Sequence, residues 1–108
     1  MSDSLLSVSQ FFNKPFQYRK LPGNAIDLTH PQETRPVRLT ALVPTQLGVD
    51  DRRVQEMLDK PEKHSAPIMV YKVGGQMTIF DGHHRAVAAM RRGDKTIPAR
   101  IWTSKQFR

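Results

Sequence analysis

A short run of polar side chains that can bind an anion stands between two regular stretches of this 108-residue sequence. Asp81, Gly82, His83, His84 and Arg85 follow a predicted strand and precede a predicted helix. At the start of a helix the first backbone N–H groups lack internal partners, and the helix dipole favours negative charge. Gly82 allows an anion to approach the backbone closely, and Arg85 adds a bidentate donor. The order of these residues therefore predicts a phosphate-binding turn.

Three side chains of this turn, Asp81, His83 and His84, are also candidates for catalysis. A histidine can transfer a proton near neutral pH while Arg85 and helix N–H groups stabilise phosphoryl charge, which would allow hydrolysis of a nucleotide or a phosphodiester. In the other interpretation a histidine only donates a hydrogen bond to a bound phosphate, and Asp81 only caps the helix. We expect no metal site built from protein ligands alone, since adjacent histidines point in different directions. The Asp81 carboxylate is better suited to a magnesium ion that a bound nucleotide also holds.

The elements that must position this turn can be predicted from apolar periodicity. Alternating or continuous apolar residues predict strands at 37–43, 68–73, 76–80 and 96–102, and helical spacing predicts helices at 51–60 and 86–91. Gly74 and Gly75 suit a hairpin turn, Asp50 suits an N-cap, and Gly93 suits the end of the second helix. Pro98 predicts that the last strand lies at a sheet edge. The order predicts an α+β fold: a small mixed sheet with two or three packed helices.

The first third of the chain is predicted to be irregular. Prolines recur between residues 14 and 36, which argues against regular structure, so residues 1–35 are expected to form an arm, residues 36–103 a domain and residues 104–108 a polar tail. Within the arm, Leu5, Val8 and Phe12 fall on one side of a short predicted helix near residues 4–12. This helix either packs on the core or, because Leu5, Leu6, Phe11 and Phe12 give it a large apolar surface, serves self-association into a homodimer.

The composition excludes several classes of protein. The chain has no cysteine, which excludes disulfides, thiolate zinc sites and cysteine nucleophiles. No apolar run approaches the roughly 18 residues of a membrane span, and the N-terminus lacks the basic start of a secretory signal, so a cytoplasmic protein without a membrane partner is expected.

The net charge of +7 and a pI of about 10.3 favour a polyanionic partner, nucleic acid first. A solubilising surface charge is the other interpretation. Arg52 and Arg53 on the first predicted helix, and Arg91 and Arg92 near the end of the second, are candidates for contacts to DNA phosphates.

The stretch from Asp81 to Ala89, Asp-Gly-His-His-Arg-Ala-Val-Ala-Ala, resembles the ParB/sulfiredoxin superfamily. The order of predicted elements over residues 35–102 agrees with that superfamily. The resemblance implies that residues 82–85 bind the phosphates of a nucleotide, CTP or ATP with magnesium, and that Thr45 and Gln46 line the pocket opposite. His83 stands where sulfiredoxins have their cysteine, so repair of sulfinic acid is excluded.

Members of the superfamily include ParB-like nucleases and nucleotide-dependent kinases. Gln46 stands near the place expected for the acidic base of such kinases, which does not favour kinase chemistry. The resemblance therefore implies a nucleotide- or DNA-binding protein that hydrolyses a nucleotide or a phosphodiester. The alternative is a non-catalytic module that binds DNA or a protein, for example a phage- or plasmid-encoded regulator of a host factor.

Overall fold

The predicted hairpin lies inside a five-stranded mixed sheet. The computed structural model describes residues 5–15, 17, 33–73 and 75–103. The strands stand in the spatial order β2 (Glu33–Arg38), β7 (Thr96–Thr103), β5 (Ile68–Val73), β6 (Gln76–Asp81) and β3 (Leu42–Val43). Strand β7 is parallel to β5, and β3 is parallel to β6; the other two pairs are antiparallel. Two further strands, β1 (Leu5–Ser7) and β4 (Gly48–Asp50), form a separate antiparallel pair.

Two helices complete the fold. Helix α2 (His83–Arg92) packs on β5 and β7, and helix α1 (Asp51–Asp59) packs on α2. Four small side chains of α2, at positions 86–89, are buried, and their size allows the helix to approach the sheet closely. These elements confirm the predicted α+β class with a mixed sheet. Among the helices of the described residues, none is long and apolar enough to cross a membrane.

The predicted helix ends are observed. The Asp50 side chain accepts a hydrogen bond from the Arg52 backbone N–H at 2.9 Å, which caps α1. Gly93 ends α2 with a φ of +85°, and its N–H bonds to the Met90 carbonyl at 3.0 Å. In the hairpin turn Gly75 has a φ of +81°, whereas Gly74 lies outside the described residues.

The prediction of a single strand over residues 37–43 is wrong. Strand β2 ends at Arg38, a 3-10 turn occupies Leu39–Ala41, and β3 follows at the other edge of the sheet. Four strand spacings separate those edges, about 19 Å in a flat sheet, whereas four residues reach only about 14 Å. The sheet must therefore curl so that its two edges approach each other.

The prediction of a short helix near residues 4–12 is also wrong. Residues 5–7 form β1, which pairs with β4, and a 3-10 turn follows at Val8–Gln10. Pairing with a distant strand outweighs a weak local preference for helix. Val8 and Phe12 are nevertheless buried in the core, while Leu5 is 74% exposed. The segment expected to be irregular also contains the start of β2; residues 1–4, 16 and 18–32, and the expected tail, lie outside the described residues.

Strand β7 is not at an edge, although Pro98 predicted that it would be. It lies between β2 and β5. Pro98 stands opposite Pro36 of β2, and the ladder with β5 begins one residue later, where Ala99 pairs with Ile68. The missing N–H of Pro98 is tolerated because β5 does not yet pair with β7 at that position.

Candidate phosphate-binding site

The last three residues of the polar turn, His83 to Arg85, form the first turn of α2, because the helix begins at His83 rather than at residue 86 as predicted. Gly82 is its N-cap and no side chain caps this end. The first backbone hydrogen bond of the helix runs from the Ala86 N–H to the Gly82 carbonyl at 2.9 Å. The N–H groups before it belong to the uncapped helix end, where an anion is favoured.

Gly82 is required here by packing as well as by backbone conformation. Its φ of +112° lies in the left-handed region. A Cβ at this position would stand 2.5 Å from Cγ2 and 2.7 Å from Cβ of Ile68. The turn therefore lies directly against the start of β5, a reason for glycine in addition to the anion approach expected from the sequence.

His83 ties the loop after β3 to the start of α2. Its side chain is 3% exposed, and Nε2 accepts a hydrogen bond from the Thr45 N–H at 2.9 Å. The Thr45 hydroxyl donates in turn to the Ile79 carbonyl at 2.7 Å. The pKa of His83 is lowered from 6.5 to about 4, mainly by burial and next by the charge of His84, while Asp81 partly opposes the shift. The ring is thus neutral at pH 7 and carries its proton on Nδ1.

His84 makes a second, parallel attachment. Its Nε2 accepts a hydrogen bond from the Asp50 N–H at 3.0 Å. Burial, followed by the charge of Arg53, lowers the pKa of His84, while Asp50 acts in the opposite direction. Because both histidines use Nε2 as an acceptor for backbone N–H groups, neither offers that lone pair to a substrate proton. The geometry gives both a positioning role in addition to their place at the turn.

Arg85 joins the turn to the segment that enters β5. Its Nη1 donates to the carbonyls of Ala66 at 2.7 Å and Pro67 at 3.0 Å, and its Nη2 pairs with Asp81 at 3.2 Å. A guanidinium has five N–H donors, so Nε and one Nη2 hydrogen are left for a ligand. The Asp81 side chain is 60% exposed.

These groups surround a cavity of about 170 Å³. Its lining is the 81–85 turn together with Gln46, Arg53, Met57 and Phe80. Predicted site residues from two regions of the sequence thus meet here, with Thr45 attached behind them through His83. A second cavity of about 300 Å³ shares Met57 and Arg85 with the first.

Helix α1 supplies two residues of this site that the sequence interpretation did not assign to it, and β6 supplies a third, Phe80. Arg53 was predicted as a DNA contact, and Met57 was given no role in the site; both line the cavity. They stand four residues apart, so they share one face of the helix, and this spacing is the feature that could have revealed them.

The four arginines predicted to contact DNA have different surroundings. Arg91 pairs with Asp51 at 3.1 Å and lies over the Phe11 ring at 5.6 Å. Arg92 pairs with Asp94 at 3.0 Å, and Arg52 is exposed on α1. Exposed ion pairs of this kind contribute little and can open for a phosphate. In the described part of the chain no three metal-binding side chains come together.

Comparison by sequence finds no matching protein-family model and no matching curated protein. Comparison by structure finds sulfiredoxin from Arabidopsis thaliana at 25% identity and a TM-score of 0.54, over 64% of this chain and 83% of that one. SbnI from Staphylococcus aureus matches at 19% identity and a TM-score of 0.56, over 63% of this chain and 30% of that one. A free serine kinase in complex with AMP matches at 21% identity and a TM-score of 0.56, over 79% of this chain and 36% of that one. The chain thus spans about a third of the last two proteins.

These similarities establish the fold. The chain has a ParB/sulfiredoxin-like fold, as the resemblance of its turn predicted.

Proposed function

We propose that this domain binds a nucleotide, with the phosphates at the start of α2. The observation that supports the proposal most is the uncapped helix end beside a polar cavity that Arg53, His84 and Arg85 line. Helix N–H groups and guanidinium donors are the groups that recognise phosphate oxygens. The free serine kinase of similar fold was solved with AMP, and a mutant of it with ADP.

The two adjoining cavities suit the two parts of a nucleotide. Pockets for drug-sized ligands measure about 300–1,000 Å³, so 170 Å³ suits a phosphate group rather than a whole nucleotide. The neighbouring cavity of about 300 Å³ beyond Arg85 is lined largely by apolar side chains, including Ile97 and Pro98. Its other polar groups are His64, Ser65 and Arg92. We place the nucleoside there. Asp81 would hold magnesium jointly with the phosphates.

The positions of the histidines favour binding over hydrolysis. A general base needs a free lone pair within reach of the attacking group, and Nε2 of both His83 and His84 already accepts a backbone N–H. Of the three residues predicted to be catalytic, the exposed Asp81 keeps acceptor oxygens available. If the domain hydrolyses its nucleotide, we therefore expect neither histidine to act as the base, and Asp81 to contribute as the magnesium ligand.

Titration calorimetry with CTP, ATP, ADP and AMP, with and without magnesium, tests the proposal. We expect one of them to bind saturably, and we expect Arg53→Ala to weaken its binding about ten- to a hundredfold, the effect of losing one charged hydrogen bond. Arg52→Ala is the matched control, because Arg52 is the neighbouring exposed arginine of α1 and does not line the cavity. Arg85→Ala is a poorer test, since it also removes the bonds to Ala66 and Pro67.

Two outcomes would contradict the proposal. One is that none of the four nucleotides binds. The other is that Arg52→Ala and Arg53→Ala weaken binding equally, which would indicate attraction by net charge alone. A labelled DNA duplex in the same buffers covers the alternative ligand: DNA binding with a steep salt dependence, in the absence of nucleotide binding, would assign the basic surface to DNA phosphates.

A further inference from the structure

A groove of about 940 Å³ lies at the C-terminal end of α2, away from the phosphate-binding turn. One wall is the segment after β1, and the other is formed by the bend after β2 and by the residues that join α2 to β7. None of its lining residues lines either of the two cavities proposed for the nucleotide. It is therefore a separate feature of the surface.

The base of the groove is apolar. Leu39 and Phe12 are almost fully buried, and Phe11 and Met90 are half-buried along the same groove. The guanidinium of Arg91 lies over the Phe11 ring at 5.6 Å, which holds the ring in place. Ligand sites typically combine such an apolar lining with a few polar groups.

The charged side chains at the groove leave an excess of positive charge. Asp94 is neutralised by Arg92, which donates to it at 3.0 and 3.2 Å. Arg38 and Lys95 are exposed, and no ion pair of either is found among the described residues.

The backbone holds these two cations near each other. The Leu39 N–H bonds to the Lys95 carbonyl at 3.0 Å, and Arg38 stands directly opposite Thr96, the residue after Lys95. Opposed residues of antiparallel strands have Cα atoms about 4.5–5.5 Å apart, so Arg38 and Lys95 leave the backbone at neighbouring positions, and both line the groove.

We propose that this groove binds a small organic anion with an apolar body, whose acidic group pairs with Arg38 and Lys95. The apolar body would lie on Phe11, Leu39 and Met90. The volume of about 940 Å³ is at the upper end of the range for drug-sized ligands, and a lone phosphate would leave most of it unfilled.

The probe for the test is anilinonaphthalene sulfonate, an aromatic anion that becomes fluorescent in apolar surroundings. We expect the protein to bind one equivalent and octanoate to displace it, whereas octylamine, with the same apolar chain and the opposite charge, should not. The double variant Arg38→Glu/Lys95→Glu should weaken binding of the dye about tenfold or more. The control Lys60→Glu/Lys63→Glu carries the same change in net charge on exposed lysines that do not line the groove, and should bind as the wild type does.

A second variant tests the groove without changing its charge. Thr40 is exposed on the groove wall, so Thr40→Trp should occupy the space and abolish dye binding while the far-ultraviolet circular dichroism remains that of the wild type. The proposal is overturned if both groove variants bind the dye normally, or if octylamine displaces it as well as octanoate. Displacement by a short oligothymidylate but not by octanoate would assign the groove to single-stranded nucleic acid instead.

Discussion

His83 and His84 are neighbours in the sequence, yet each holds a different point of one loop. Nε2 of the first accepts the N–H of Thr45, and Nε2 of the second accepts the N–H of Asp50. The residue types indicated groups that bind phosphate or transfer protons. Their hydrogen-bond partners are 38 and 34 positions away in the chain, so sequence spacing alone could not identify them.

The burial of His83 leads to a prediction about how the free energy of unfolding depends on pH. Its folded-state pKa is about 4 against an ordinary value of 6.5, so between these pH values the unfolded state binds more protons than the folded state. The free energy of unfolding should therefore fall as the pH is lowered from about 6.5 to about 4, by on the order of 3 kcal/mol. Urea unfolding at a series of pH values measures this loss.

The variant His83→Gln provides the control for that measurement. Glutamine can still accept the Thr45 N–H but does not titrate, so the variant should lose less stability over the same pH range. The ring proton of His83 in the wild-type protein, followed by nuclear magnetic resonance, should titrate near pH 4. A midpoint near 6.5 would show that the ring is not desolvated and would contradict the prediction.

The turn between β6 and α2 is the element whose shape positions the site. Its bounds were predicted within a few residues, because the apolar pattern of β6 ends where the polar run begins. The structure adds that His83, His84 and Arg85 lie inside the helix, while Asp81 ends β6 and Gly82 is the N-cap, so that the first helical turn and the two residues before it border the cavity.

Gly82→Ala should destabilise the protein more than the same substitution does at a glycine that is required only by its left-handed backbone. A side chain at φ +112° costs about 1–2 kcal/mol, and contact with Ile68 adds an overpacking cost of about 1–3 kcal/mol. Gly93→Ala is the matched control, since Gly93 has a φ of +85° and nothing lies within 4 Å of its added Cβ. Chemical unfolding of both variants measures the difference, and equal losses would show that Ile68 moves away at little cost.

At the scale of the whole molecule, part of the N-terminal segment belongs to the hydrophobic core. Phe12 is 7% exposed and its ring meets the His83 ring edge-on, with centroids 6.2 Å apart. Strand β1 pairs with β4, which ends at Asp50. The segment therefore supports the same loop that the two histidines hold.

Two substitutions in this segment should change the free energy of unfolding by very different amounts. Phe12→Ala should lower the free energy of unfolding by about 3–5 kcal/mol, because it leaves a cavity in the packed core. Leu5→Ala should change it by less than about 0.5 kcal/mol, because Leu5 is 74% exposed. Urea unfolding of both variants tests whether the segment is part of the core; a small loss for Phe12→Ala would mean that it only lies on the surface.

The sequence by itself determined the features that depend on near neighbours in the chain. Helix α1 with its Asp50 cap, the hairpin of β5 and β6, the end of α2 at Gly93 and the polar turn all follow from side-chain period or from single capping residues. These are local choices, since each depends on a few consecutive residues.

Only the tertiary structure decided the features that depend on distant partners. The 3-10 bend after Arg38 exists because β2 and β3 occupy opposite edges of a curled sheet, and residues 5–7 are extended because β4 pairs with them. Arg53 belongs to the cavity because α1 packs on α2; the helical spacing of Arg53 and Met57 places them on one face but does not specify what that face contacts. Burial and pairing energies gathered over the whole chain outweigh the weak local preferences that the sequence displays.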